Sequence, residues 1–72
     1  MSGKNITCPM PAKIVKINVN VGDTVKRGTV LILIEAMKME NKVMSPCDGT
    51  VAEICVTVGQ SVNVGEKLAV IS

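Results

Sequence analysis

The 72-residue chain predicts an all-β sandwich or barrel built from two related halves, and three observations carry that prediction. A stretch of the chain repeats, apolar residues recur with a spacing of two, and turn signals are frequent with no segment of amphipathic helical length. The repeat is the strongest of the three. From Ile6 onward the sequence slides against itself by 37 positions without a gap, so that residues 6–35 overlie residues 43–72. Nine positions are identical: Pro9/Pro46, Ile17/Ile54, Val19/Val56, Val21/Val58, Gly22/Gly59, Val25/Val62, Gly28/Gly65, Leu31/Leu68 and Ile34/Ile71. They fall where backbone geometry or a core face constrains the residue type most, as a structural duplication requires.

Residues 1–5 are polar and contain nothing that could anchor to a core, so they read as an N-terminal tail ahead of a domain over 6–72. In the first copy Val15, Ile17, Val19 and Val21 alternate with Lys16, Asn18 and Asn20, which predicts a strand with one wet face. Its mate, with Ala52, Ile54, Val56 and Val58 alternating with Glu53, Cys55 and Thr57, repeats the pattern and puts Cys55 on the exposed side. Each strand ends in a Gly-polar turn, Gly22-Asp23 or Gly59-Gln60, and Gly28 or Gly65 marks a second turn. Short strands follow over Val30 to Glu35 and Lys67 to Ile71. Two halves of this size each supply part of one core, and neither is expected to fold alone.

Composition narrows the function classes. Apolar residues make up 47% of the chain and charged residues 19%, which excludes disorder, and no apolar run nears the roughly 20 residues of a membrane helix. Net charge is +2, the basic residues are scattered, and there is no Phe, Tyr or Trp on which bases could stack, so nucleic acid is an unsuitable partner. Cys8, Cys47 and Cys55 form no C-x-x-C pair and the chain has no histidine, so the usual structural zinc sets cannot be made. Free thiols in a reducing cytoplasm, with no secretory leader, are the expectation.

The segment 36–42 joins the two copies and has no partner in the repeat. By propensity Glu35-Ala36-Met37-Lys38-Met39-Glu40 could form one turn of solvated helix, but so short a helix is unstable alone and strands enter from both sides. A hairpin with Met37 and Lys38 at its tip is the better expectation. A lone lysine on a hairpin is ordinarily a solvated charge. Here the chain has no histidine, carboxylate cluster or phosphate loop, so the projecting amine is the reactive group that the architecture singles out. Met37 and Met39 read either as fillers capping the end of the barrel or as an apolar recognition surface. Glu35 and Glu40 read as recognition or solubility residues, with no pocket expected beside them.

The run Glu35-Ala36-Met37-Lys38-Met39-Glu40 resembles the attachment motif of biotin carboxyl carrier domains, in which a lysine between two methionines receives biotin. Cys8-Pro9-Met10-Pro11-Ala12 resembles the family's A-P-M-P-G segment, with Cys8 in place of Ala and Ala12 in place of Gly. Val21-Gly22-Asp23-Thr24-Val25 and Ser45-Pro46-Cys47-Asp48-Gly49-Thr50-Val51 resemble its turn and second-half signatures. The two copies align without a gap, leaving no room for the protruding loop of some bacterial carriers, so the likeness is to the compact type. The resemblance implies a flattened antiparallel β-barrel, or barrel-sandwich hybrid, that is a carrier and not an enzyme. It implies covalent biotin on Lys38, recognition through Glu35, Ala36, Met37, Met39 and Glu40, and a biotin protein ligase, a biotin carboxylase and a carboxyltransferase or decarboxylase as partners. It also implies a monomeric domain. A solvated amine is charged at neutral pH, so a ligase is expected both to activate biotin and to free the amine. Two other readings are open at this point. A lipoyl carrier shares the fold and the hairpin lysine but usually shows Asp-Lys-Ala at the tip, and an unmodified barrel-sandwich adaptor, as in efflux membrane-fusion proteins, would carry no group at all.

Overall fold

The computed structural model describes residues 3–72, so the part of the expected tail at Met1 and Ser2 lies outside the described residues. The remainder is eight strands with no helix among the described residues: β1 (Lys4–Thr7), β2 (Ala12–Ile17), β3 (Thr24–Val25), β4 (Val30–Ala36), β5 (Met39–Met44), β6 (Gly49–Ile54), β7 (Ser61–Val62) and β8 (Lys67–Ile71). They form two four-stranded sheets of order β1-β8-β6-β3 and β5-β4-β2-β7. Every pairing is antiparallel, and no hydrogen-bonded pairing joins the sheets into a closed barrel among the described residues.

Adding 37 to each residue number carries β1, β2, β3 and β4 onto β5, β6, β7 and β8, and so carries one sheet onto the other. The hydrogen bonds follow. The Gly59 N–H donates to the Ile14 carbonyl at 2.8 Å, and its counterpart, the Gly22 N–H, donates to the Val51 carbonyl at 2.8 Å. The turn bonds repeat as well. The Asn20 N–H donates to the Asp23 carboxylate at 2.8 Å, and the Thr57 N–H donates to the Gln60 amide oxygen at 3.1 Å. Each sheet takes its two central strands from one half and its two edge strands from the other. This interlocking gives the physical reason that neither half is complete alone: a half would leave its central strands without edges and its edge strands without a sheet.

Two expectations change. The first strand begins at Lys4, so Lys4 and Asn5 are not tail: they pair with Ile71 and Val70 of β8. Because β1 is the counterpart of residues 41–44, the unmatched joining segment shrinks from 36–42 to 36–40. The second change concerns which valines face inward. The β2–β4 register steps from Ile14↔Ile34 to Lys16↔Leu33, which makes Val15 the extra residue of a β-bulge. The bulge brings Ile14 inward ahead of Val15, at 1% exposed, while Ile17 and Val19 keep the expected face and Val21, past the end of the strand, is 62% exposed. The second copy has the same bulge between Val51 and Glu53, burying Val51 and leaving Ala52 and Val58 outside.

The core between the sheets is aliphatic: Ile14, Leu31, Ile32, Ile34, Val51, Leu68, Ala69 and Ile71 are each at most 2% exposed, with Cys8, Val25 and Val62 beside them. Burial of such side chains contributes about 1.5–3 kcal/mol each relative to leaving them in water. Two of the identical repeat pairs, Leu31/Leu68 and Ile34/Ile71, sit at related points of this core.

Candidate functional site

β4 and β5 run together through six register pairs from Val30↔Met44 to Ala36↔Met39, and the chain reverses in the two residues Met37 and Lys38. Both have positive φ, 54° and 64°, which is the signature of a type I′ turn. That turn matches the right-handed twist of the flanking strands, yet it favours Asn-Gly or Gly-Gly. Met and Lys in the left-handed region cost on the order of 1–3 kcal/mol each. The conformation is held from below, because β4 is the most buried strand of the molecule, with Leu31, Ile32 and Ile34 fully enclosed and Ala36 only 7% exposed. The rigid ladder imposes the tight turn on residues that would not choose it.

The consequence is an amine displayed beyond the end of the sheet. Lys38 is exposed, and it takes part in no ion pair or side-chain hydrogen bond among the described residues. Met37 is 89% exposed and Met39 is 66% exposed, so neither fills a gap nor caps the barrel. Of the two readings of these methionines, the filler is corrected, since a gap-filling side chain must be enclosed. Glu35 and Glu40 are also exposed and lie directly opposite each other. Ala36 and Met39 form the next pair toward the tip, and the buried alanine is the one member of the hexapeptide whose side chain belongs to the interior.

The expectation that no pocket adjoins Glu35 is also corrected. An open cleft of about 310 Å3 is lined by Lys13, Ile14, Val15, Val58 and Gly59 together with Glu35. Sequence reasoning missed Lys13 and Val58 because they lie far from the hairpin in sequence. The Val15 bulge and the Gly59-to-Ile14 hydrogen bond bring these segments together. The three cysteines are free, with Cys8 buried, Cys47 partly buried and Cys55 exposed as its strand position predicted. Desolvation and the Glu53 carboxylate push the Cys55 thiol above its ordinary range, with Lys67 pulling weakly the other way, so the nucleophilic thiolate is disfavoured.

The chemistry available at the tip is acylation of a primary amine. An exposed, unpaired amine on a two-residue turn fits a group that is added by an outside enzyme and must then reach outward. The family model described as "Biotin-requiring enzyme", of the biotin/lipoyl type, matches residues 4–71. The chain belongs to this biotin/lipoyl attachment family. Its member from Streptococcus mutans, a biotin carboxyl carrier protein, is 45% identical over 71 residues, covering 99% of this chain and 55% of the relative. The chain therefore spans about half the length of that relative.

Among solved structures, urea carboxylase from Kluyveromyces lactis superposes with a TM-score of 0.94 at 32% identity, covering 100% of this chain and 6% of the larger one. The lipoyl domain of the 2-oxoglutarate dehydrogenase complex from Azotobacter vinelandii superposes with a TM-score of 0.82 at 27% identity, covering 94% of each chain. The architecture is thus common to biotinyl and lipoyl domains. The sequence likeness to a biotin carboxyl carrier protein puts the chain nearer the biotinyl members of the family than the lipoyl ones.

Proposed function

We propose that Lys38 is the residue that carries biotin, and that the domain moves a carboxyl group between a biotin carboxylase and a carboxyltransferase, or away from a decarboxylating carboxyltransferase. The observation that supports the assignment is the lysine's place: an unpaired amine at the tip of the one segment outside the twofold repeat, between two methionines whose side chains stand in solvent. Bound biotin supplies a ureido nitrogen that accepts and releases the carboxyl group. The chain's own part is positional. The β4–β5 ladder holds the Lys38 backbone in one conformation, and the lysine's flexible stem gives reach, so the tethered group is presented at high effective concentration to each active site in turn.

Recognition by a biotin protein ligase falls in this proposal to Met37, Met39, Glu35 and Glu40, which together form an apolar tip above an acidic pair. The ligase would withdraw the ammonium from water to free the nucleophilic amine, since the exposed tip offers no enclosed environment of its own. The domain acts as a monomer in this reading. Labelled bicarbonate, ATP and a biotin carboxylase test the carrier step. Biotinylated wild-type domain should become labelled and pass the label to a carboxyltransferase acceptor, and Lys38→Arg should not. Lipoylation of the domain by a lipoyl ligase, with no biotinylation, would overturn the assignment in favour of the lipoyl class.

A further inference from the structure

The cleft beside Glu35 has a composition that the fold itself does not require. Lys13 and Glu35 are register partners across β2 and β4, the bulged Val15 forms one wall, and Val58 and Gly59 reach over from the loop between β6 and β7. The 37-residue repeat provides an internal comparison. Ile14, Val58 and Gly59 have Val51, Val21 and Gly22 as counterparts, and the glycine-to-carbonyl hydrogen bond is the same length in both copies. The charged pair is not repeated, since Lys13 corresponds to Thr50 and Glu35 to Ser72. Both copies complete their strands without it. The pair occurs only in the copy whose β4 runs on into the hairpin.

The two charges are not spent on each other. Among the described residues the one ion pair is Lys67 with Glu53, at 3.9 Å. An ammonium donor and a carboxylate acceptor therefore face a small cleft with an exposed valine, Val58, at its side. One edge of a cyclic urea is complementary to that pair, with an N–H donor for the carboxylate beside a carbonyl acceptor for the ammonium. At about 310 Å3 the cleft is at the small end of ligand sites, which suits a bicyclic head and excludes an acyl-CoA.

We propose that this cleft is a docking site for the head of the domain's own biotin. Glu35 accepts from one ureido N–H, Lys13 donates to the adjacent ureido carbonyl, and Val15 and Val58 cover the thioether ring. The proposal rests on the assignment of biotin to Lys38. Glu35 is three residues from Lys38, at most roughly 10 Å even for fully extended chain and less through the turn, a distance that the lysine stem and the valeryl chain together span. Tethering sets the local concentration in the millimolar range, so an intrinsic contact of only millimolar affinity still populates the docked state substantially. The carrier then alternates between a retracted and an extended arm, and its partner enzymes compete with a weak site on the carrier itself.

Amide chemical shifts of the 15N-labelled domain, compared before and after complete biotinylation as judged by intact mass, test the idea. Perturbations are expected at Val58 and Gly59, which belong to a different element from the hairpin, as well as at Lys13 and Val15. They should vanish in the Lys13→Thr/Glu35→Ser variant, which installs the residues of the other copy, and in Val58→Asp, a change at an already exposed side chain. Perturbations confined to residues 36–40, or cleft perturbations that survive both variants, would overturn the docking site while leaving the carrier assignment standing. A wild-type chain that accepts no biotin would remove both, and the mass spectrum reveals that before any shift is read.

Discussion

Glu35 and Glu40 face each other directly across the β4–β5 hairpin, one pair below the turn that carries Met37 and Lys38. Like charges in that position oppose strand pairing, and a strained turn lies beyond the next pair, Ala36 and Met39. The ladder with the most register pairs thus ends in unfavourable residues. Stability was not the criterion that chose this hexapeptide.

Glu40→Thr should therefore stabilise the fold, by about 0.2–1 kcal/mol on the scale of cross-strand pairs. Urea denaturation followed by circular dichroism measures the change. The same variant is expected to be biotinylated more slowly, since it halves the acidic pair beneath the tip.

Met37→Gly should raise the stability as well. Glycine takes a φ of 54° without steric cost, and a gain of about 1 kcal/mol remains once its extra freedom in the unfolded chain is counted. For a domain of this size that corresponds to roughly 4–8 °C in thermal midpoint. Loss of stability would show that the Met37 side chain contributes to packing in spite of its 89% exposure.

The interlocked sheets predict one cooperative unit. Leu31→Ala and Leu68→Ala, at equivalent fully buried positions, should each cost about 2–5 kcal/mol. Hydrogen exchange should report the loss in both sheets at once for either variant. A loss restricted to one sheet would contradict the exchange of edge strands between halves.

Cys55 gives a pH prediction. Its folded-state pKa is raised by desolvation first and by Glu53 second, so at a given pH it holds less thiolate than an unstructured cysteine. Alkylation by iodoacetamide should be slower than for a model thiol near pH 8 and should accelerate in Glu53→Gln. The linkage has the corresponding sign: the group's small contribution to stability is present below the unfolded pKa and is lost as pH rises through the folded one.

The repeat made most of this architecture legible, because Gly22/Gly59 and Leu31/Leu68 sit at positions where turn geometry and core packing leave little choice of residue. The two bulges were not legible. A period of two cannot register an extra residue, so it puts Val15 inward where Ile14 belongs, and it does not mark the strand end that leaves Val21 exposed. β1 was hidden for a related reason: Lys4 and Asn5 are held by backbone pairing with β8, to which their polar side chains give no signal. The hairpin could be read from the residues outside the repeat, but the exposure of Met37 and Met39 could not, because a flexible apolar side chain suits a gap as well as a surface. The cleft could not, since Lys13, Glu35 and Val58 meet through a bulge and a loop that the sequence does not announce.

Intact mass after co-expression with a biotin protein ligase tests the central claim most directly. The account predicts a single biotinyl addition to the wild-type chain and none to Lys38→Arg. An unmodified wild-type chain, or a Lys38→Arg chain that still gains the group at another amine, would contradict it.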